Sequence, residues 1–586
     1  KIFTRFENQV GKYSSGYKGV KKKCKIKKVI PQSKGYFSII TEDDEGMLDI
    51  INITTSVNLT ESYGYLNKSP EIECFEEGME LNDGMVLNQA TCFDDYNSLM
   101  YGKNLKFIFY PWQGLTFEDA VVISEAAAKK LTHVKVHEYL IPVNSNDLLL
   151  NLYGNDEAYK CFPDIGEDVK HGVLCARRRI VNSMMLTTLN DSSLKDFNAT
   201  DDVFYSNGYV DSIYVYCNRP QTDQHDEYMK QILKYTEAQA EYDRILVETL
   251  KDASEAGKLT SDAAYYFNRS RDSVNGRKWI AENSFDNMVI KIRVIEEVPC
   301  VVGSKITNRA GLKGVVAKIV PDEEMPESED GQRPEVCLNY GGVPNRLNWG
   351  SLFEAESNFI VNQMLRRHKN DTMEQKEEAI MNIMCGFNFD QEQHFFRYLD
   401  TLSEEDREAT INEIFEKEFL PIHQPPFFNN IDLDILGELY ENYEVKPLKF
   451  NGIEQPMVLG EMYFMKLKHE PSSKLSARSV GNINIKGVPN KSNRNFRAGM
   501  APYSKTPVRL GEQELLYLLL LNDSKTHMEL INSHSANKED REALINKLLT
   551  KASDEPVEIA EGEYSTVKEI LKAYLGAIGL KLEKSE

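Results

Sequence analysis

The chain has 586 residues, 41% of them apolar and 27% charged. These are ordinary globular values that exclude disordered, collagenous and low-complexity classes, and the length sets a prior of roughly four domains. The longest apolar run, 515–521, falls far short of the ~18–20 residues that a membrane span needs. The net charge of −22 argues against a protein that coats nucleic acid by bulk attraction. Nine scattered cysteines, none at CxxC spacing, disfavour a zinc ribbon or a disulfide framework and suit a reducing compartment. No charged n-region with an apolar core opens the sequence, so no signal peptide is expected.

In chain order, residues 1–110 alternate short β-rich runs, such as 36–40 and 105–110, with Gly, Asn and Asp turns. Residues 139–218 continue in that style. Helical spacing then takes over at 221–256, just after Pro220, and at 261–283. Strand-like runs return at 288–295 and 314–320. An acidic helical stretch fills 355–445; within it, 369–445 holds 19 acids against five bases and reads as a solvated insertion turned away from any polyanion. From Lys474 to Leu510 the balance reverses, with eight cations and not one Asp or Glu, as a phosphate-facing stripe requires. Helical candidates at 511–521, 538–550 and 565–575 close the sequence, and no internal repeat is present.

Four segments carry the chemistry. GSKITNRAGLKGVV at 303–316 packs three glycines and the cations Lys305, Arg309 and Lys313 into 14 positions, which describes either a phosphate cradle or a plain basic loop. It lacks the order of a Walker loop. PWQGLTFEDAVVIS at 111–124 sets Glu118 and Asp119 just ahead of an apolar run; such a pair can hold Mg²⁺ or merely complement a helix dipole. GGVPNRLNWGSLFE at 341–354 presents Arg346 on a glycine and proline turn, and HEPSSKLSARS at 469–479 opens the acid-free stripe.

Taken in this order, the four segments resemble the C-terminal half of the β, or second-largest, subunit of multisubunit DNA-dependent RNA polymerases. The first resembles that family's GDKxxxRHGxKGVV, which here too is followed by an acidic stretch, PDEEMPESEDG. The others are similar to its PWxGYNFEDxxxxS, GVPSRMNxGQxxE and YMxKLxHxxxDKxxARSxG. VRLGEQELLYL, KEILKAYLGAIGLKLE and, faintly, TRFENQ extend the likeness, which breaks at about 139–290 and 355–445. Departures fall at Ser304, Ala310, Leu312 and Ser473, while every motif cation is kept.

The resemblance implies a mixed α+β, multidomain chain. Residues 1–138 would be a hybrid-binding region with the first part of a double-psi β-barrel, 139–290 a flap or wall module, and 291–354 the rest of the barrel. The acidic helical insertion (355–445), a basic segment contacting hybrid and DNA (446–510) and a C-terminal helical clamp segment (511–586) would follow. It further implies that Lys305 and Lys313 touch the RNA 3′ end and the nucleotide phosphates, that Arg346 clamps the triphosphate, and that Glu118 and Asp119 act near a second, transient Mg²⁺. Arg309, His469, Lys474, Arg478, Lys491, Arg494 and Arg497 would contact nucleic acid.

The three-aspartate loop that holds the catalytic Mg²⁺ in the β′ subunit is missing from the sequence; NFDQEQ at 388 and DLDILGE at 432 do not match it. The chain is therefore expected to be inactive alone and to depend on β′-like chains for the catalytic Mg²⁺, with no zinc of its own. The β N-terminal half is missing too, so the chain is expected to be either a fragment or a naturally split subunit with that half on a separate chain; a promoter-specificity factor, DNA template, RNA transcript and NTPs complete the partners. Split, divergent motifs resemble the polymerases of giant bacteriophages, which puts the chain in the cytoplasm of a bacterial host or packaged in a virion. The rival reading is a non-catalytic assembly or virion scaffold that keeps a polymerase-like barrel. A two-barrel RNA-templated polymerase would need the aspartate loop on this same chain.

Overall fold

The computed structural model describes residues 2–3, 7–60, 63–68, 70–94, 98–155, 158–180, 194–196, 201–217, 227–276, 287–387, 395–420, 422–423, 433–471, 477–478, 504–505, 511–521, 523–531, 538–550 and 566–583. They divide into two compact units, Lys1–Lys474 and Leu475–Glu586.

A closed six-stranded barrel organises the larger unit. Its strands are Lys103–Phe109 (β1), Ala120–Ser124 (β2), Lys305–Asn308 (β3), Lys313–Val320 (β4), Val336–Leu338 (β5) and Gly460–Lys466 (β6). Around the barrel the order is β1, β5, β2, β4, β3, β6 and back to β1. The β1–β5 and β2–β4 pairs are parallel and the other four antiparallel. Because strand side chains alternate between faces, every second residue points inward, and Leu105, Phe107, Val121, Ile306, Met462 and Phe464 fill the interior. Each buried phenylalanine contributes about 2–3 kcal/mol. A Cβ on Gly460 would lie 2.7 Å from the Phe107 ring and 2.9 Å from Ala355, so β6 seats itself through a glycine. The closing strand comes from the segment expected to contact nucleic acid, and residues 291–354 do not complete the barrel.

Beside the barrel lies a seven-stranded sheet. Its path runs Tyr209–Cys217, Met288–Val298, His133–Val143, Tyr63–Lys68, Val86–Ala90 and Tyr17–Gly19, with Ser56–Thr60 paired to Tyr63–Lys68. His133–Val143 pairs with Met288–Val298 over its whole length, from His133↔Val298 to Val143↔Met288. The expected boundary at 138 therefore falls in mid-strand, and the first region and the flap-like module share one sheet.

Helices Glu227–Glu255 (α1) and Ser261–Val274 (α2) return to the four-stranded sheet of Leu48–Ile53, Tyr36–Asp43, Cys24–Ser33 and Glu80–Leu81. Leu246, Leu250 and Phe267 bury against Ile30, Ile40 and Leu48. Thr260 starts α2: its hydroxyl accepts from the Ala263 amide (3.3 Å) and donates to Asp49 (2.6 Å).

The acidic stretch forms Trp349–Arg367 (α3), Met373–Phe387 (α4), Glu404–Glu416 (α5) and Leu433–Asn442 (α6). Its apolar residues are not an independent core. Phe359, Ile360, Ile380 and Phe415 join Ile108, Val122 and Cys337 of the barrel strands in one cluster. Acids such as Glu404, Glu405 and Glu441 stay exposed. The stretch is thus a helical layer laid on the barrel, with its charge on the solvent side.

In the smaller unit, helices Glu512–Leu519, Lys538–Thr550 and Thr566–Ala577 match the three helical candidates, and Ser524–Ile531 adds a fourth. Among the described residues, no helix is long and apolar enough to cross a membrane.

Candidate active site at one end of the barrel

The β3–β4 hairpin is shaped from within by Asn308, which is 5% exposed. Its amide donates to Ser351 Oγ (2.7 Å) and accepts from the Leu312 N–H (2.8 Å), closing the turn between the strands. In the ladder Lys305 stands opposite Val315, and Thr307 opposite Lys313. Opposed residues share a face, so both lysines project outward as diagonal neighbours with Cβ atoms roughly 7–8 Å apart. Neither ammonium has an ion-pair or hydrogen-bond partner among the described residues.

The carboxylates reach the same place through strained backbone. Gln113 and Glu118 have φ of 45° and 51°, and buried Trp112 anchors the turn between them and β1. The Asp119 carbonyl accepts from the Val315 N–H at 2.7 Å. A Cβ on Gly314 would meet Val121 Cγ2 at 2.2 Å and the Asp119 carbonyl at 2.9 Å, so only glycine permits this approach of β2 to β4. The register Ala120↔Val315 then sets Glu118 and Asp119 level with Lys313.

Arg346 arrives from β5. It is the last residue of a short helix, Gly342–Arg346, rather than part of an open turn, and Leu347 at φ 56° ends that helix. Arg346 Nη2 lies 2.6 Å from Asp119 Oδ1, with both side chains about half exposed. This hydrogen bond raises the arginine's pKa above its ordinary value. Asn339 ties the two loops together: its Nδ2 donates to the Glu118 carbonyl (3.3 Å) and its Oδ1 accepts from the Gly341 N–H (2.9 Å). Glu118, Asp119, Lys313, Gly314, Asn339 and Gly342 line one shallow depression. Sequence reasoning passed over Asn339, although it stands two residues ahead of Gly341 in the glycine turn.

Other expected site residues lie elsewhere. Arg309 sits over the Tyr463 ring, 4.4 Å from its centroid, and its charge partly offsets the burial that raises the Glu354 pKa. His469 follows β6, next to buried Glu470. Arg478 is described only as a residue of the two-residue strand Ala477–Arg478 in the smaller unit. Lys474, Lys491, Arg494 and Arg497 lie outside the described residues.

A buried ionic cluster also escaped the sequence. Lys466, 3% exposed, donates to the Val298 (3.3 Å) and Pro299 (3.0 Å) carbonyls and lies 3.5 Å from Glu470. Glu470 also pairs with Lys135 at 2.9 Å. His133 Nδ1 is 3.4 Å from the Lys466 ammonium. Burial, reinforced by Lys466, pushes the His133 pKa down to about 4. The cluster straps β6 to the seven-stranded sheet and steadies the chain that leads into His469.

Chemically, the depression combines adjacent carboxylates with cations on its rim. No group of three or more metal-ligating side chains occurs among the described residues. Two carboxylates suit Mg²⁺, which takes its remaining ligands from phosphates and water.

Residues 77–486 match the family model described as RNA polymerase Rpb2, domain 6. The DNA-directed RNA polymerase subunit beta of Mycoplasma genitalium is 23% identical over 476 residues, covering 76% of this chain and 31% of that protein. Its Mycoplasma pneumoniae counterpart is 22% identical over 480 residues, with coverage of 76% and 31%. The Corynebacterium jeikeium protein of the same name is 24% identical over 468 residues, with 77% and 34%. The chain spans about a third of the length of these curated relatives. Since the matched stretch takes in all six barrel strands, the depression at their ends and the helical layer beside them, the chain belongs to the RNA polymerase Rpb2 domain 6 family.

Proposed function

We propose that the chain is the C-terminal part of the β subunit of a DNA-dependent RNA polymerase and forms half of its active centre. The observation that carries this reading is the meeting of Glu118, Asp119, Lys313 and Arg346, from three separate stretches of sequence, at one end of the barrel. Nucleotidyl transfer is an in-line attack of the RNA 3′-hydroxyl on the α-phosphate of an NTP, which asks the protein for orientation and countercharge rather than a nucleophile. Lys305 and Lys313 hold the RNA 3′ end and the nucleotide phosphates, and Arg346 grips the triphosphate. Glu118 and Asp119 would act near a second, transient Mg²⁺, which would neutralise charge on the leaving pyrophosphate.

On this reading the barrel is of the double-psi type, the 139–290 module is the flap, 446–510 follows the hybrid and 511–586 anchors the clamp. A β′-like chain holds the catalytic Mg²⁺, in an enzyme of the giant-bacteriophage type that works in the cytoplasm of a bacterial host. The test is reconstitution with Lys313→Ala or Arg346→Ala. Promoter binding should stay near wild type while elongation falls about 10²-fold or more, the loss seen when one preorganised charge donor is removed. Elongation at the wild-type rate in either variant refutes the proposal.

A further inference from the structure

A cavity of about 220 Å³ opens where the seven-stranded sheet, the four-stranded sheet and helices α1 and α2 meet. That space is ample for several waters or for one flat ring of nucleobase size. Tyr36, Tyr214, Tyr216, Tyr242 and Tyr266 wall it, and the amide side chains of Gln32, Asn52 and Gln239 line it. The barrel site uses none of these residues.

Packing alone does not account for such walls. The other face of the same sheet is filled by Ile213, Val215, Ile290 and Ile292, as a plain core is. Here the tyrosines are fixed at their hydroxyl ends instead. Tyr36 bonds to Asp211, Tyr242 shares a hydrogen bond with Ser38 (2.8 Å), and Arg269 donates to Tyr216 (3.1 Å). Burial lifts the Tyr36 and Tyr242 phenols to about 12, so these walls are uncharged at neutral pH. Four charged side chains line the cavity: Lys291 pairs with Glu138 at 2.8 Å, Arg293 donates to the Tyr36 hydroxyl that itself bonds to Asp211, Arg269 holds Tyr216, and Asp243 accepts from Ser270 and Gln239. Arg293 Nε, however, is buried without a hydrogen-bond partner among the described residues.

We propose that this cavity takes one unpaired nucleobase, from a free nucleoside or from single-stranded RNA, stacked on the tyrosines with its edge bonded by the amides and Arg293. A base combines a flat π-face with clustered donors and acceptors, which is what these walls match. An apolar side chain of a peptide would leave Arg293 Nε unsatisfied. The inference stands on the cavity and does not depend on the polymerase reading.

The experiment is photo-crosslinking of the full chain with short single-stranded RNA carrying 5-iodouridine, with adducts located by mass spectrometry. Adducts are expected on Tyr214, Tyr242 or Tyr266, with a yield that barely changes with salt, because no phosphate is neutralised. Tyr266→Ala should cut the yield by about five- to 150-fold, the usual loss of one stacked base. Asn52→Ala, which keeps every ring, should lower it as well and guards against a folding defect. Tyr265→Ala alters a neighbour that is 63% exposed and does not line the cavity, and should leave the yield alone. Competition by excess uridine identifies the lone base as sufficient, and competition by the oligomer alone means that the strand is needed. Three results would overturn the proposal: adducts confined to the barrel end or the 474–510 stripe, unchanged yields in both variants, or protection of the tyrosines by an aromatic peptide but not by RNA.

Discussion

Acidification from pH 7.5 to about 5 should loosen the joint between β6 and the seven-stranded sheet, through one side chain. His133 is 8% exposed at its side chain, faces the Lys466 ammonium through Nδ1 and leaves Nε2 without a hydrogen-bond partner among the described residues. Glu470, 3.6 Å from Nε2, favours the protonated ring, but burial and Lys466 outweigh it and set the pKa at about 4, below the ordinary 6.5. Between those two values the unfolded chain takes up a proton that the folded chain refuses. Stability is therefore intact above about pH 6.5 and is lost as the pH falls toward 4. At about 1.4 kcal/mol per pH unit the full loss is about 3 kcal/mol, of which about 2 kcal/mol is gone by pH 5. Because a chain of several modules does not unfold in one step, the assay is local: amide hydrogen exchange over 133–143 and 460–466, corrected for intrinsic rates. Protection in the wild type should drop about thirtyfold between pH 7.5 and 5, the equivalent of that 2 kcal/mol. In His133→Gln the profile should lose this step. Equal pH profiles in the two proteins would refute the reasoning.

Gly314→Ala forces a methyl against Val121 and the Asp119 carbonyl, an overpacking worth about 1–3 kcal/mol, and should lower both the melting temperature and nucleotide addition; a wild-type melt would contradict it. Asp119→Asn breaks a half-exposed pair, so the melting temperature should hold while the assembled enzyme adds nucleotides more slowly. A lower melting temperature with normal addition would assign Asp119 to the fold instead. Asn308→Ala strips a buried turn of two hydrogen bonds at a cost of about 1–3 kcal/mol, which should appear as faster exchange of the Leu312 amide.

Local elements were legible because their periods are local. The run at 105–110 became Lys103–Phe109, 314–320 became Lys313–Val320, and 538–550 became a helix with those same ends. What stayed hidden was set by distant partners. GEMYFMK alternates as a strand should, but nothing within it tells that it pairs with both Lys103–Phe109 and Lys305–Asn308. Arg309 belongs to the same motif as Lys305 and Lys313, but an aromatic ring 154 positions away draws it aside. Arg346 was readable as an exposed cation, whereas its pairing with Asp119 required β2 and β5 to lie side by side. The cluster of His133, Lys466 and Glu470 joins residues that are unremarkable one by one, and only burial makes them unusual.

The barrel's two ends in sequence are about 350 residues apart, because β1 must wait for β6 to pair with it. At ~5–20 residues per second, a ribosome needs roughly 20–70 s to deliver the closing strand after the opening one has emerged. During that interval the edge of Lys103–Phe109 that β6 will cover lacks its antiparallel neighbour, while the modules between them can already mature on shorter-range contacts. Synthesis rate and chaperone access in that window, more than the final energy of the barrel, should govern how much active protein a cell obtains.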